Sequence, residues 1–355
     1  MLARSIVKNS TSRALLHRSY SISSYAAVPK VQNFINGVFE DSKATEWIDL
    51  HNPATQELIC QVPQSTQEEL DRATAGAAEA FKTWKEVPIQ QKQRIMLKLQ
   101  DLIRENTEEL ARSITTEQGK TLADARGDVF RGLEIVESMC GAGVLAMGES
   151  AENLSKGLDT YSYKQPLGVT AGICPFNFPA MIPLWMFPVA TVAGNTMVLK
   201  PSEKDPGAAM MLAKLAQEAG IPDGVLQIVH GGVPTVNYLC DAPPIRAISF
   251  VGGNAAGEHI FARGTANGKR VQSNLGAKNH ATIMPDADRE TTVNAIVGAA
   301  FGAAGQRCMA LSTVIFVGDS KEWVHDIVEK ASKLKVGSGM DASTDVGPLI
   351  SKESK

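Results

Sequence analysis

The feature that most constrains this chain is an alternation of short apolar runs with helix-patterned stretches in its second half. TMVLK (196–200), GAAMMLAKLAQEAG (207–220), VLQIVHG (225–231), a helical stretch through Tyr238, RAISF (246–250), AAGEHIFARG (255–264) and RVQSNL (270–275) succeed one another. Short apolar runs suit strands buried on both faces, and the stretches between them carry apolar residues at helical spacing. The pattern predicts an α/β fold built on a parallel, doubly wound sheet. TYSYKQPLGVTAGICPF (160–176), which alternates and then turns apolar, supplies a further strand before it. Such sheets take ligands at the carboxyl ends of their strands.

Two of those ends carry binding chemistry. The usual dinucleotide fingerprint GxGxxG is absent, but Val251-Gly252-Gly253-Asn254-Ala255-Ala256-Gly257 leads from strand to helix. Backbone N–H groups at such a turn can hold a pyrophosphate. Lys200-Pro201-Ser202-Glu203 closes TMVLK. An acid there can accept both ribose hydroxyls and repels a 2′-phosphate, which points to NAD over NADP. The competing reading of Lys200 and Glu203 is a solvated loop.

The first half reads differently. Met1–Ser24 holds Arg4, Lys8, Arg13 and Arg18, many serines and no acid, the first carboxylate being Glu40. That is the make-up of a mitochondrial presequence over residues 1–20, addressing the protein to the matrix. FINGVFED and WIDLHNPATQELICQVP suggest short strands, with Asn36–Gly37 a hairpin turn. Ser65 and Glu68 have capping-box spacing at the start of a helix, Pro88 opens a second helix that stops near Gly119, and a third covers 122–140.

Composition narrows the class. A net charge of −3 argues against a dedicated nucleic-acid binder, and no apolar run is long enough to span a bilayer. The five cysteines are widely spaced with no CxxC, which argues against a disulfide framework and against a metal site. One of them stands apart. Cys308 follows the small-residue run Gly298–Gly305 and then Gln306 and Arg307, before the strand-like STVIFVG. A thiol beside a guanidinium at such a junction is a candidate nucleophile, and the alternative is a cysteine packed as a small hydrophobe.

ICPFNFP (173–179), VLKPSE (198–203), SFVGG (249–253), GQRC (305–308) and TDVGPLIS (344–351) stand in the order found in aldehyde dehydrogenases, and the resemblance covers nearly all of the chain after the presequence. PFNFPAMIPLWMFP and GQRCMA resemble in particular the CoA-acylating branch that oxidises malonate and methylmalonate semialdehydes. The resemblance implies an NAD-binding domain over 30–275, with an oligomerisation hairpin near 150–166 and a homotetramer. It also implies the first part of an α/β catalytic domain over 276–355, relatives continuing beyond this point with an EIFGP segment and a further strand.

By the same resemblance Cys308 attacks the aldehyde, and Asn177 with the Cys308 N–H holds the oxyanion. Cys174 and Phe176 line the nicotinamide side, Lys200, Glu203 and Lys204 the adenosine ribose, and Gly253 the pyrophosphate, where relatives generally carry serine. Arg131 and Arg307 are candidates for the substrate carboxylate, Arg131 being equally readable as a surface cation. At Asn274 relatives that hydrolyse their thioester carry a glutamate that activates water; an amide cannot act as a base, so release to coenzyme A fits better. Asn274 as mere packing at a strand end stays open. The products expected are acetyl-CoA or propanoyl-CoA, NADH and CO2. Two other readings stand beside this one: a hydrolytic aldehyde dehydrogenase, and a non-catalytic NAD-binding or subunit-interaction protein.

Overall fold

The computed structural model describes residues 28–355. The stretch read as a presequence lies outside them.

A hairpin opens the described chain: β1 (Asn33–Ile35) and β2 (Val38–Glu40) pair antiparallel through Asn36 and Gly37. Both turn residues have positive φ, 51° and 79°, the conformation that a two-residue hairpin turn demands and that Asn-Gly accepts at least cost. A second antiparallel pair, β3 (Trp47–His51) and β4 (Leu58–Pro63), follows.

Four helices come next. α1 (Gln67–Trp84) starts one residue later than the Ser65–Glu68 spacing suggests. Its capping box is Thr66 with Glu69: the Glu69 N–H donates to Thr66 Oγ1 at 3.3 Å and the Thr66 N–H to Glu69 Oε2 at 2.8 Å. Ser65 is unavailable because its hydroxyl donates to Asn33 Oδ1 and accepts the His230 N–H, tying the helix start to the sheet. The single helix expected from Pro88 to Gly119 is two, α2 (Ile89–Glu105) and α3 (Thr107–Gln118). Asn106 divides them by turning its side-chain amide back onto the Leu102 carbonyl at 2.7 Å, and so satisfies a helix-end acceptor. Gly119, at φ 94°, ends α3 in the left-handed conformation. α4 (Leu122–Met139) then starts from a Thr121 cap.

After the exposed hairpin β5 (Ser150–Ser155) and β6 (Leu158–Tyr161) the alternation takes over. In order come β7 (Val169–Ile173), α5 (Met181–Val192), β8 (Thr196–Lys200), α6 (Gly207–Ala219), β9 (Leu226–Ile228), α7 (Val233–Asp241), β10 (Ile245–Val251), α8 (Asn254–Ala266) and β11 (Arg270–Asn274). The strands assemble as β11-β10-β7-β8-β9-β1-β2, with β7 to β11 parallel and the first hairpin added antiparallel at one edge. The parallel, doubly wound sheet expected from the pattern is present.

Side chains alternate across this sheet as the pleat requires. Met197 and Leu199 of β8 join a core with Leu99, Ile114, Val129 and Leu184, contributed by α2 to α5. Val198 faces the other way, into a core with Ala73 of α1, Leu239 of α7 and Ile260 of α8. Cover on both faces is why every residue of β7 and of β8 is buried, lysine and threonines included.

The remaining chain forms β12 (Asn279–Ile283), α9 (Arg289–Phe301), β13 (Leu311–Phe316) and α10 (Val324–Ser332). β12 and β13 pair parallel, with Ile283, Val293, Ile296 and Trp323 as a separate small core.

Candidate active site

The chain runs from β7 outward through β8 and β9, then returns to lay β10 and β11 on the other side of β7. This reversal puts a crevice between the carboxyl ends of β7 and β10, the place where open α/β sheets bind ligands. A cleft of about 790 Å³ opens there. Its walls include Cys174, Phe176, Asn177, Lys200, Glu203, Lys204, Gly253, Arg307 and Cys308. Residues drawn from four separate sequence motifs thus meet in one space.

Each wall has a local cause. The Cys174 N–H donates to the Lys200 carbonyl at 3.0 Å, extending the β7–β8 ladder by one step before the loop to α5 begins. Lys200 is not a solvated loop residue: its buried ammonium donates to the carbonyls of Pro201 and Gly231, both at 2.8 Å, and pairs with Glu203 at 3.2 Å. It holds the β8 and β9 ends together and leaves Glu203 partly free at the cleft. Lys204 lies 5.4 Å above the Phe176 ring. Gly253 caps α8 in an extended conformation, and a Cβ there would meet open space.

Cys308 arrives from the opposite side. α9 ends at Phe301, and Ala303, Ala304 and Gly305 all follow at positive φ, 49°, 55° and 72°. Two alanines in the left-handed region cost energy that the surroundings must offset, a pattern common at functional sites. The small-residue run thus closes α9 and then makes this tight turn. Asn279 of β12 anchors the far side, its amide donating to the carbonyls of Cys308 and Ala310, both at 2.9 Å. Cys308 is half-buried and faces the cleft, whereas the second cleft thiol, Cys174, is buried. Burial pushes the Cys174 thiol far up; Lys200 nearby opposes the shift and Asp205 adds to it. Of the two, Cys308 is the more accessible.

Arg307 lines the cleft but is committed, donating to Asp124 Oδ1 at 2.5 Å. Arg131 is exposed on α4, its guanidinium 3.3 Å from Met309 Sδ, and does not line the cleft. Asn274 is exposed at the end of β11; its carbonyl accepts the Gly252 N–H at 3.1 Å, and its side chain is not among the cleft walls.

Three residues of the site do not stand out in the sequence. Asp124 accepts the Ala303 N–H at 3.0 Å as well as Arg307, so the first turn of α4 grips the loop that leads to Cys308. Lys120 and Asp128, both buried, form an ion pair at 3.0 Å beneath the Asn177 loop. The available signal is Asp128 itself: it falls on the stripe Ala125, Val129, Gly132, Val136 that α4 turns inward. A carboxylate on an apolar stripe demands a buried partner. Burial lifts its carboxyl above the usual range, with Lys120 opposing.

A half-buried cysteine on a strained loop and an asparagine, both lining one crevice at the carboxyl ends of a doubly wound sheet, point to a class. Residues 39–355 match the aldehyde dehydrogenase family, and the chain belongs to that family. Among its relatives are the methylmalonate-semialdehyde dehydrogenase [acylating], mitochondrial, of Arabidopsis thaliana, 60% identical over 327 residues, and the methylmalonate-semialdehyde/malonate-semialdehyde dehydrogenase [acylating], mitochondrial, of Homo sapiens, 57% identical over 337. The matches cover 92% and 95% of this chain, and 54% and 63% of those proteins. The chain thus spans less than two thirds of their length. The crystal structure of methylmalonate-semialdehyde dehydrogenase from Oceanimonas doudoroffii superposes with a TM-score of 0.89 at 43% identity, covering 92% of this chain and 67% of that one. An aldehyde dehydrogenase from Bacillus cereus, solved as its NAD+ complex, gives 0.87 at 31%, covering 91% and 67%.

Proposed function

We propose that the chain carries the nucleotide-binding and nucleophile-bearing parts of an NAD-dependent, CoA-acylating dehydrogenase of malonate and methylmalonate semialdehydes. Residues 30–275 are the nucleotide-binding unit and 276–355 bring the nucleophile. The observation that carries this reading is Cys308 in the same cleft as Asn177, with the competing thiol of Cys174 buried and held protonated.

Cys308 adds to the aldehyde carbon, and the Asn177 amide with the Cys308 N–H stabilises the oxyanion that forms. The donor to that oxyanion is the Asn177 side-chain N–H; its Oδ1 is buried without a hydrogen-bond partner, so the side chain is not anchored through its oxygen. NAD fits the remaining space. The glycine turn at α8 offers room and N–H donors for a pyrophosphate, and Glu203 can accept ribose hydroxyls. Bound there, NAD would supply the hydride acceptor for oxidation of the thiohemiacetal carbon, and Cys308 would be left carrying the acyl group as a thioester. Asn274 cannot activate water, so the acyl group leaves on the thiol of coenzyme A. A substrate carboxylate β to the new thioester departs as CO2. Arg307, on the cleft wall, is the better placed of the two arginines to meet that carboxylate; Arg131 approaches it only through the Met309 side of the loop.

The names of the relatives support mitochondrial location, and we place the protein in the matrix. The wholly exposed β5–β6 hairpin, with Leu154, Leu158 and Tyr161 bare, supports assembly into a homotetramer through that edge.

The test is to mix the protein with NAD and methylmalonate semialdehyde, without coenzyme A, and follow NADH and the mass of the Cys308 peptide. A single burst with acylated Cys308, and sustained propanoyl-CoA formation once coenzyme A is added, is the expected result. Asn274→Glu should convert the arrest into slow release of free acid. Steady turnover of the unaltered protein without any thiol would instead mean a hydrolytic enzyme, and NAD binding with no burst a non-catalytic one.

A further inference from the structure

The buried pair Lys120–Asp128 is not used by the chemistry above, yet it touches the β7–α5 loop at Asn177 itself and again where α5 begins. Lys120 follows the left-handed Gly119, which turns the chain so that the lysine side chain points inward, 1% exposed. Its ammonium donates to Asp128 Oδ2 at 3.0 Å and to the Asn177 carbonyl at 2.6 Å, and lies 4.5 Å from the Phe178 ring. Asp128 Oδ1 accepts the Met181 N–H at 2.7 Å. Asn177, in the middle of the loop, and Met181, the first residue of α5, are therefore fastened to the same ion pair. Asn177 Oδ1 has no partner of its own, so the aim of the amide depends on its backbone.

The same turn also carries the other wall of the cleft. The Leu122 N–H donates to the Gly339 carbonyl at 3.2 Å. Gly339 and Gly347 lie so close to the carbonyls of Lys120 and Gly119 that a Cβ at either would collide with them. From that segment the Ile350 N–H reaches Gln306 Oε1 at 3.0 Å, two residues before the nucleophile. Asp124, one turn along α4, holds Ala303 and Arg307. Residues 119–128 thus tie the Asn177 wall to the Cys308 wall.

We propose that Lys120 and Asp128 are positioning residues: they set Asn177 against Cys308, and the residues between and beside them make one clamp for both walls of the cleft. The proposal deepens the reading of Asn177 as the oxyanion donor and rests on it. A buried ion pair is a poor device for stability alone, since apolar replacements of similar volume are often neutral or stabilising, whereas removing one partner strands a buried charge. That asymmetry supplies the test.

Lys120→Met should lower the melting temperature because Asp128 loses its cation. The double variant Lys120→Met/Asp128→Leu removes both charges and should melt at or near the wild-type temperature. Its NADH burst should nevertheless stay slower by on the order of 10²-fold, the scale of a misplaced or missing oxyanion donor, with the aldehyde KM nearly unchanged. Alkylation of Cys308 by iodoacetamide, which forms no oxyanion, should keep its rate. Hydrogen exchange at 177–181 should accelerate in the double variant while the α2 core stays protected. Recovery of both melting temperature and burst rate to within about threefold would show the pair to be structural only and overturn the proposal. If the unaltered protein binds NAD but gives no burst, the enzymatic reading fails, and the exchange measurement still decides the clamp: unchanged exchange at 177–181 overturns it.

Discussion

Asp124 is the single contact whose loss should most disturb the nucleophile loop, and its effect can be bounded from the geometry. Its two oxygens accept the Ala303 N–H at 3.0 Å and the Arg307 guanidinium at 2.5 Å. Hydrogen bonds to a charged group contribute about 1.5–3 kcal/mol each when shielded. The Asp124 and Arg307 side chains are 24% and 21% exposed, so solvent discounts the ion pair toward about 1 kcal/mol. Against this stand Ala303 and Ala304 at positive φ, each costing about 1–2 kcal/mol relative to an ordinary conformation. The tie and the strain are of the same size. Asp124→Ala should therefore do more than lose about 2 kcal/mol of stability; it should let the loop relax and withdraw Cys308 from the cleft. Thermal unfolding measures the first effect, and the rate of iodoacetamide labelling at Cys308 the second. Ala304→Gly, which removes one strained Cβ, should stabilise the unaltered protein by up to about 1 kcal/mol and restore part of the labelling behaviour in the Asp124→Ala background. If Ala304→Gly destabilises the protein, or if Asp124→Ala leaves Cys308 labelling unchanged, the balance of tie and strain described here is wrong.

Two further outcomes follow from the titratable groups. Cys308→Ala should abolish NADH formation, while Cys174→Ala should retain most of it, because burial keeps the Cys174 thiol protonated throughout the working pH range; loss of acylation from the Cys174 change alone would reassign the nucleophile. Burial raises Glu117 from 4.5 to about 7, although the Gly207 N–H bound to it acts the other way. Between those values the unfolded chain has released the proton and the folded one still holds it, so Glu117 contributes a fall in stability as pH rises from about 4.5 to 7, beside falls of the same sign from Asp205 and Asp128, whose carboxyls burial also raises. Glu117→Gln should flatten that part of a melting-temperature profile, and an unaltered slope would place the titration elsewhere.

Much of the fold was legible because its periodicities are strong and local. Met197 and Leu199 on one face of β8 and Val198 on the other are what a doubly covered strand requires, and the run TMVLK announces it. Where local reasoning slipped, a distant partner had decided between near-equal choices. Ser65 and Thr66 both have a glutamate three residues on, and the sheet claims Ser65 through Asn33 and His230. The break at Asn106 was hidden because the apolar pattern of α2 continues into α3, while the divider is one side chain bonded to its own preceding turn.

The site divides the same way. Glu203 was visible because its carboxylate sits at the end of a strand, and Cys308 because its thiol follows a small-residue run beside Arg307, whereas Asn177 was reached only through the resemblance of ICPFNFP to a family. The groups that hold those stretches were not. Lys120 meets Asn177 across 57 residues, and Asp124 meets Ala303 across 179. No spacing rule reaches so far, and a lysine or an aspartate on a helix is ordinarily a solvated charge. Only Asp128 betrays itself, because its place on the inward stripe of α4 makes a solvated carboxylate impossible. A buried acid on an apolar stripe requires a cation, and at this depth the cation arrives with a lysine that has donors to spare. The spare donor goes to the Asn177 carbonyl. What looks in the sequence like an isolated fault in the pattern of one helix is therefore the point where the packing of α4 and the geometry of the proposed oxyanion site become the same constraint.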